Sequence, residues 1–157
     1  MGEKIGVLLI NNGSCLAFSP YASHPLHFIH NKVGKIKNGA KILTLYGELG
    51  SGKTTLVQGL AKGLGIPHRI VSPTFIIVRR YKLNLKNYHW FYHIDLYRIS
   101  SGVEIADLGL TEIFNQLGNI VTIEWAEKLG SFTSPKRIDI KFIQINEAER
   151  KIAIQGS

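Results

Sequence analysis

The stretch Gly47–Thr54 carries the most chemical information in the chain, because it matches the pattern G-x-x-x-x-G-K-[ST]. Its glycines permit backbone torsions that are closed to other residues, so successive N–H groups can turn inward around a phosphate. A helix N-terminus at the same place adds about half a positive charge. In such a loop Lys53 reaches the outer phosphates and the Thr54 hydroxyl completes the shell of a Mg²⁺ ion. The pattern therefore predicts a nucleotide-binding site.

Two acidic residues that follow apolar strands are candidates for the metal side of this site. Asp95 ends the run Phe91–Asp95, and Glu124 ends the run Ile120–Glu124. Mg²⁺ takes oxygen ligands and keeps several waters, so a phosphate loop needs a carboxylate nearby. A single acid after a strand is more often a helix cap or a solvated turn. Two such acids in one phosphate-loop chain favour metal binding or catalysis.

The nucleotide base is indicated only by what the sequence lacks. GTPases recognise guanine with the pattern N-K-x-D after a later strand, and the sequence has no such pattern there. Asn31-Lys32-Val33-Gly34 precedes the phosphate loop and carries no acid. ATP is therefore favoured over GTP.

Hydrophobic periodicity predicts the elements that must position these residues. A buried strand is expected over Ile42–Leu45, and an amphipathic helix over Lys53–Leu64, closed by Gly65 and Pro67. Further runs predict a long hairpin, one or two short helices, a strand and a terminal antiparallel pair. Their bounds are Phe75–Tyr81 with Tyr88–Tyr97, Glu104–Leu117, Ile120–Trp125, and Ile138–Ile145 with Lys151–Ile154. The order β-α-ββ-α-β-ββ predicts an α/β fold with a mixed sheet.

The net charge of +8 on 157 residues is distributed unevenly. Residues 1–92 contain twelve Lys and Arg against two acids, whereas residues 93–157 contain seven against nine. This asymmetry favours an anion site in the first half that faces carboxylates from the second. The length suits one compact domain and excludes a multidomain machine, and 45% hydrophobic residues exclude a disordered chain.

The compartment is inferred from cysteine usage and from the first apolar run. Cys15 is the only cysteine and cannot form an internal disulfide, so a reducing compartment is favoured and cytoplasm is expected. The run Ile5–Ile10 is too short for a signal-peptide core or a membrane span.

Four motifs follow one another along the chain, namely Gly47–Thr55, Ser72–Phe75, His93–Arg98 and Ile123–Trp125. Together they resemble the TsaE family of bacterial tRNA threonylcarbamoyladenosine (t6A) biosynthesis proteins. The resemblance runs from about Ile42 to Leu129, with a weaker match through the terminal strands.

The resemblance implies a small P-loop ATPase that uses ATP and Mg²⁺. The family acts with TsaB and TsaD to put the threonylcarbamoyl group on N6 of adenosine 37 in tRNAs that read codons beginning with A. Its ATPase is weak alone and depends on those partners. tRNA is implied as an indirect partner, and direct contact between tRNA and this chain is left open. The implied fold is a P-loop NTPase-like three-layer sandwich. It is a single domain over residues 1–157, with residues 1–25 as an atypical extension.

The resemblance also assigns roles by position. The implied nucleotide-binding residues are Gly50, Ser51, Gly52, Lys53, Thr54, Thr55 and Trp125. The implied catalytic residues are Glu124, Asp95, Lys53 and Thr74, and the implied metal ligands are Thr54, Glu124 and Asp95. Asp95 binds metal or orients water in this assignment, and Thr74 senses the γ-phosphate. Trp125 either stacks on the nucleotide or fills the core.

Two other functions are compatible with the phosphate loop. A small P-loop kinase would need an acceptor pocket and usually mobile arginines after the midpoint of the sheet, for which Arg98 and Arg137 are the candidates. An RNA-binding protein with a regulatory ATP site would use the basic and aromatic residues of Arg79–Lys82 and Tyr88–Trp90. Alternation of core and solvent faces on a hairpin explains the same residues without RNA.

Overall fold

The computed structural model describes residues 10–11, 14–15, 39–73, 75–134, 136–146 and 150–156. The first two of these ranges form a short antiparallel ladder, which joins β1 (Ile10–Asn11) to β2 (Ser14–Cys15). Most of the extension predicted over residues 1–25 lies outside the described residues, and so does Thr74.

Among the described residues, six further strands form one sheet. They are β3 (Lys41–Tyr46), β4 (Val78–Lys82), β5 (Trp90–Asp95), β6 (Asn119–Glu124), β7 (Ile138–Gln144) and β8 (Arg150–Gly156). Their order is β4-β5-β6-β3-β7-β8. The four central strands pair in parallel, and the edge strands β4 and β8 pair antiparallel with their neighbours. The predicted mixed sheet, mainly parallel with antiparallel additions, is confirmed.

Helices cover both faces of this sheet, which gives the three layers of an α/β sandwich. They are α1 (Lys53–Gly63), α2 (Gly102–Ala106), α3 (Leu110–Asn115) and a 3₁₀ helix (Ala126–Phe132). One core lies between α1 and the sheet, and a second core lies between the other three helices and the opposite face.

Helix α1 forms where the sequence predicts it, because its apolar residues recur on one face. Leu56, Val57 and Leu60 are at most 5% exposed and pack against Leu43 and other apolar residues of the sheet. Burying a side chain of this size stabilises the fold by about 1.5–3 kcal/mol. The helix ends before Gly65, whose φ of 79° suits glycine.

The hairpin is shorter than the sequence predicts. Its ladder begins at Val78 rather than at Phe75, because the N–H groups of Ile76 and Ile77 both donate to the carbonyl of Pro73. Ile77 also adopts a left-handed φ of 66°, which ends extended structure before the strand begins. The two short helices and the terminal antiparallel pair appear as predicted.

The strand register brings the chemically important residues to one edge of the sheet. Leu45 and Asp95 both lie opposite Glu124, on either side of β6. Alternation along each strand puts His93 and Asp95 on the same face as Phe91, which packs in the core between α1 and the sheet. The start of α1 and the ends of β5 and β6 therefore meet on one side of the sheet.

Among the described residues, no helix has both the length and the apolar character needed to cross a membrane.

Candidate functional site

The loop between β3 and α1 depends on glycine at three positions. Gly47, Gly50 and Gly52 have φ values of 145°, 77° and 104°, which side-chain-bearing residues rarely adopt. A Cβ on Gly47 would also lie 2.9 Å from the carbonyl oxygen of Phe142 and 2.9 Å from Ser51 Oγ. The loop backbone is therefore specified by the sequence and brings α1 directly to the end of β3.

The start of α1 is suited to an anion. Gly52 caps the helix, and no side chain hydrogen-bonds to the first turn as a cap. The first N–H groups of a helix have no acceptor within the helix, and the helix dipole makes this end positive. No acidic residue stands in the first turn, so nothing in it opposes a bound phosphate.

A cavity of about 340 Å³ lies between this loop and the ends of β5 and β6. Its lining consists of Leu49, Gly50, Ser51, Gly52, Lys53, Thr54, Thr55, Ser72, Asp95, Tyr97, Glu124 and Trp125. All the site residues proposed from the sequence are in this set except Thr74, which lies outside the described residues.

Lys53 is a buried cation within the loop. Its side chain is folded back so that Nζ donates to the carbonyl oxygens of Gly47 at 2.5 Å and Glu48 at 2.8 Å. Nζ also lies 4.1 Å from the ring centroid of Trp125. Burial lowers the pKa of Lys53, and this is partly opposed by nearby carboxylates, above all Glu124.

Glu124 joins three elements through its two carboxylate oxygens. Its Oε2 accepts a hydrogen bond from Thr54 Oγ1 at 2.8 Å, and its Oε1 lies 2.7 Å from His93 Nε2. Glu124 is 2% exposed and His93 is fully buried. The end of β6 is thus connected to the start of α1 on one side and to β5 on the other.

Asp95 has a different set of partners. Its carboxylate accepts hydrogen bonds from the Ser72 hydroxyl and, at 2.9 Å, from the backbone N–H of Tyr97. The backbone N–H of Asp95 donates to the carbonyl of Ile77 at 2.9 Å. Asp95 therefore connects the end of β5 to both ends of the segment from Ser72 to Ile77.

Trp125 lies at the boundary between the cavity and the core. Its ring is 5.0 Å from the ring of Tyr97, tilted by 47°, and it also packs against the second core. Its φ of 58° is unusual for a residue other than glycine and turns the chain sharply after Glu124. Both interpretations made from the sequence therefore stay open, since the ring lines the cavity and fills core space.

The cavity has the donor chemistry that Mg²⁺ prefers. Thr54, Asp95 and Glu124 are all oxygen donors, and Mg²⁺ is usually bound through one or two carboxylates together with substrate phosphates. Among the residues that the structure describes, there is no cluster of three or more His, Cys, Asp or Glu side chains suited to a metal ion.

The basic and aromatic residues of the hairpin lie away from this cavity. Arg79, Arg80 and Lys82 are exposed on the edge strand β4, and the Arg80 guanidinium lies 4.6 Å from the ring centroid of Trp90. Charged residues are common on edge strands because they discourage pairing with other chains. Their position therefore adds nothing that favours RNA binding over a solvated edge.

Comparison with known protein families assigns the chain. The model of the family described as "Threonylcarbamoyl adenosine biosynthesis protein TsaE" matches residues 23–152, which is most of the sequence. The chain belongs to the TsaE family. The resemblance stated from the four motifs is confirmed, and the fold and the loop make this TsaE chain a P-loop ATPase-type protein.

Individual relatives agree with this assignment. The tRNA threonylcarbamoyladenosine biosynthesis protein TsaE of Bacillus subtilis is 39% identical over 111 residues, covering 71% of this chain and 66% of that protein. The protein of the same name from Borreliella burgdorferi is 40% identical over 117 residues, covering 74% of this chain and 82% of that protein. The crystal structure of YdiB from Bacillus subtilis superposes with a TM-score of 0.61 at 30% identity, covering 86% and 82% of the two chains.

Three residues of this TsaE site were missed by reasoning from the sequence. Ser72, His93 and Tyr97 all stand in the motifs that carry the resemblance, but no role was attached to them. Alternation along β5 was a usable signal for His93, because it puts His93 and Asp95 on one face. Nothing local indicates the Ser72–Asp95 hydrogen bond, which joins residues 23 positions apart.

Proposed function

We propose that this TsaE chain binds ATP with Mg²⁺ and hydrolyses it. The observation that carries the proposal is the 2.8 Å hydrogen bond between Thr54 and Glu124 in the cavity beside the phosphate loop. A hydroxyl at the start of the helix and a carboxylate at the end of a strand are the two protein groups that hold Mg²⁺ in P-loop NTPases.

The roles of the residues follow from charge and position. The loop N–H groups and Lys53 bind the outer phosphates and stabilise the charge that spreads over the phosphoryl oxygens in the transition state. Bound Mg²⁺ neutralises phosphate charge as a Lewis acid. Glu124 accepts a hydrogen bond from the attacking water, and Asp95 orients that water or contributes to the metal shell. Thr74 is assigned to γ-phosphate sensing from its place in the Ser72–Phe75 motif.

The chain is further proposed to act in the biosynthesis of t6A at position 37 of tRNAs that read codons beginning with A. Support comes from membership in the family and from relatives that carry this name. The expected partners are TsaB and TsaD, with tRNA engaged through that assembly. The ATPase is expected to be weak alone and to be activated by the partners, and the chain is proposed to form a single domain.

The decisive experiment measures phosphate release from ATP by the chain alone and together with TsaB and TsaD. We expect slow release alone and faster release with both partners. When a donor of the threonylcarbamoyl group is also supplied, we expect t6A on a tRNA transcript only if all three proteins and ATP are present. Phosphorylated small molecules formed without partners would instead identify a kinase and would overturn the proposal.

A matched pair of threonine variants connects this assay to the site. Thr54→Ala removes the hydroxyl that donates a hydrogen bond to Glu124. We expect this variant to lose partner-stimulated ATP hydrolysis. Thr111→Ala changes an exposed residue of α3 and is expected to behave like the wild type. Equal activity of the two variants would show that the Thr54 hydroxyl has no part in the reaction.

A further inference from the structure

His93 is a buried polar residue to which the proposed ATPase mechanism gives no role. It lies on β5, opposite Thr122 of β6, and is fully buried. It does not line the cavity, because Glu124 and Asp95 lie between it and the cavity edge of the sheet. Any effect of His93 on a bound nucleotide must therefore pass through a neighbouring side chain.

The neighbour is Glu124, and the direction of the hydrogen bond follows from the chemistry of the two groups. A carboxylate only accepts, so His93 Nε2 carries the proton and donates to Oε1 across 2.7 Å. Within the described residues Nδ1 has no hydrogen-bond partner and is buried. A buried N–H without an acceptor is costly, so a proton on Nε2 and not on Nδ1 fits this environment.

This hydrogen bond leaves one oxygen of Glu124 for the reaction side. Oε1 is occupied by His93 within the sheet, and Oε2 is the oxygen that contacts Thr54 at the start of α1. A glutamate side chain has several rotatable bonds, and holding one oxygen fixes the direction of the other. The arrangement matches the general device in which a buried partner orients a metal-binding or catalytic side chain.

We propose that His93 is a positioning residue that orients Glu124 for the Mg²⁺·ATP site. The inference rests on the proposed ATPase function and extends it to a residue that does not touch substrate. Removing the donor should weaken the metal site and slow hydrolysis while leaving the phosphate loop intact. Loss of such an outer partner typically costs about 10- to 100-fold in metal affinity or activity.

Two substitutions separate the donor from the space that the ring fills. His93→Gln puts an amide N–H near the position of Nε2, whereas the shorter amide of His93→Asn reaches only the position of Nδ1. We expect His93→Asn to lower kcat of partner-stimulated hydrolysis by about 10- to 100-fold with little change in KM, and His93→Gln to recover most of that loss. His68→Asn, at an exposed position outside the cavity, is the matched control and should have wild-type kinetics.

Metal binding gives a readout that does not depend on turnover. Mn²⁺ can be titrated into the protein–ADP complex and followed by electron paramagnetic resonance. We expect His93→Asn to bind Mn²⁺ about 10-fold or more weakly than the wild type, and His93→Gln to lie close to the wild type. ADP affinity without metal should be the same in all three proteins, because the loop residues are unchanged.

A spectroscopic measurement on the wild-type protein covers the case in which His93→Asn does not fold. The imidazole Nε2–H of His93 should give a downfield, slowly exchanging proton resonance in ¹H–¹⁵N spectra, and this resonance should be lost in Glu124→Ala. The resonance is assigned by its absence from His93→Gln. A proton found on Nδ1, or an Nε2–H that is insensitive to Glu124→Ala, would overturn the proposal.

The kinetic and metal measurements can also overturn it. Equal losses in His93→Gln and His93→Asn would show that the ring matters for packing and not as a donor, and wild-type behaviour of His93→Asn would show that Glu124 needs no orienting partner. If the wild-type protein does not hydrolyse ATP with both partners present, the proposed function is wrong. The Mn²⁺ and proton measurements would still decide the role of His93.

Discussion

Asp95 and Glu124 stand opposite each other on the parallel strands β5 and β6, yet their carboxylates bind to different parts of the protein. Glu124 contacts Thr54 and His93, whereas Asp95 accepts from Ser72 and from the backbone of Tyr97. Both are at most 4% exposed. The same sequence context, an acid at the end of an apolar strand, thus serves two structural connections, and substitutions at the two positions should have different effects.

Substitution of Glu124 should affect turnover more than nucleotide binding. Glu124→Ala leaves the phosphate loop and Lys53 in place, so ATP affinity should be largely retained. Loss of a group that accepts a proton or orients water typically costs about 10²- to 10⁴-fold in rate. Partner-stimulated phosphate release and equilibrium ATP binding test this directly. Glu112→Ala, at an exposed position of α3, is the control, and equal loss of binding and turnover in Glu124→Ala would mean that Glu124 is mainly structural.

Substitution of Asp95 should weaken the fold near the segment from Ser72 to Ile77. Asp95→Ala leaves the Tyr97 N–H without its carboxylate acceptor, which typically costs about 1–3 kcal/mol of unfolding free energy. Hydrogen exchange should become faster in residues 75–77 than in the rest of the sheet. Urea denaturation and exchange mass spectrometry measure both effects. Asp107→Ala removes an exposed carboxylate and should change neither, and an Asp95→Ala protein with wild-type stability would contradict the expectation.

The sequence predicts those parts of the fold and the site that depend on local patterns. The loop and α1 are predicted because glycine positions and helical periodicity are readable within about 20 residues. The positions of Asp95 and Glu124 at strand ends follow from apolar runs that stop at an acid. The central sheet order was not predicted, because strand pairing is decided by contacts between distant residues.

The parts that the sequence did not predict have identifiable physical reasons. Phe75 to Ile77 has the residue types of a strand, yet backbone hydrogen bonds to Pro73 and the left-handed torsion of Ile77 make a turn. The His93–Glu124 contact joins residues 31 positions apart and requires the register of β5 against β6. Neither the torsion nor the register can be derived from residue types alone.

The loop glycines allow a test of backbone geometry without changing charge. Gly47→Ala forces a Cβ to within 2.9 Å of the Phe142 carbonyl at a φ of 145°, whereas Gly102→Ala adds a methyl group to open space. The backbone strain in Gly47→Ala should lower the free energy of unfolding by about 1–3 kcal/mol. Gly102→Ala, at an exposed position, should change it by no more than about 0.5 kcal/mol. Gly47→Ala should also weaken nucleotide binding, measured by calorimetry. Similar stabilities of the two variants would show that the loop can relax around the added carbon.

The buried Lys53 should make the stability of the fold depend on alkaline pH. Burial lowers the pKa of Lys53 in the folded protein below its ordinary value of 10.5. At a pH between the folded-state pKa and 10.5, the unfolded chain therefore holds a proton that the folded chain lacks. The free energy of unfolding must therefore rise with pH across that window. Lys53→Met removes this contribution and should give a smaller rise in unfolding free energy between neutral pH and 10.5 in urea denaturation, together with loss of nucleotide binding.

Burial also lowers the pKa of Lys41, which adds a rise of the same sign in the wild type and in Lys53→Met. Lys62→Met, at an exposed position in the last turn of α1, should keep the wild-type slope, and equal slopes for wild type and Lys53→Met would show that Lys53 keeps its proton in the fold.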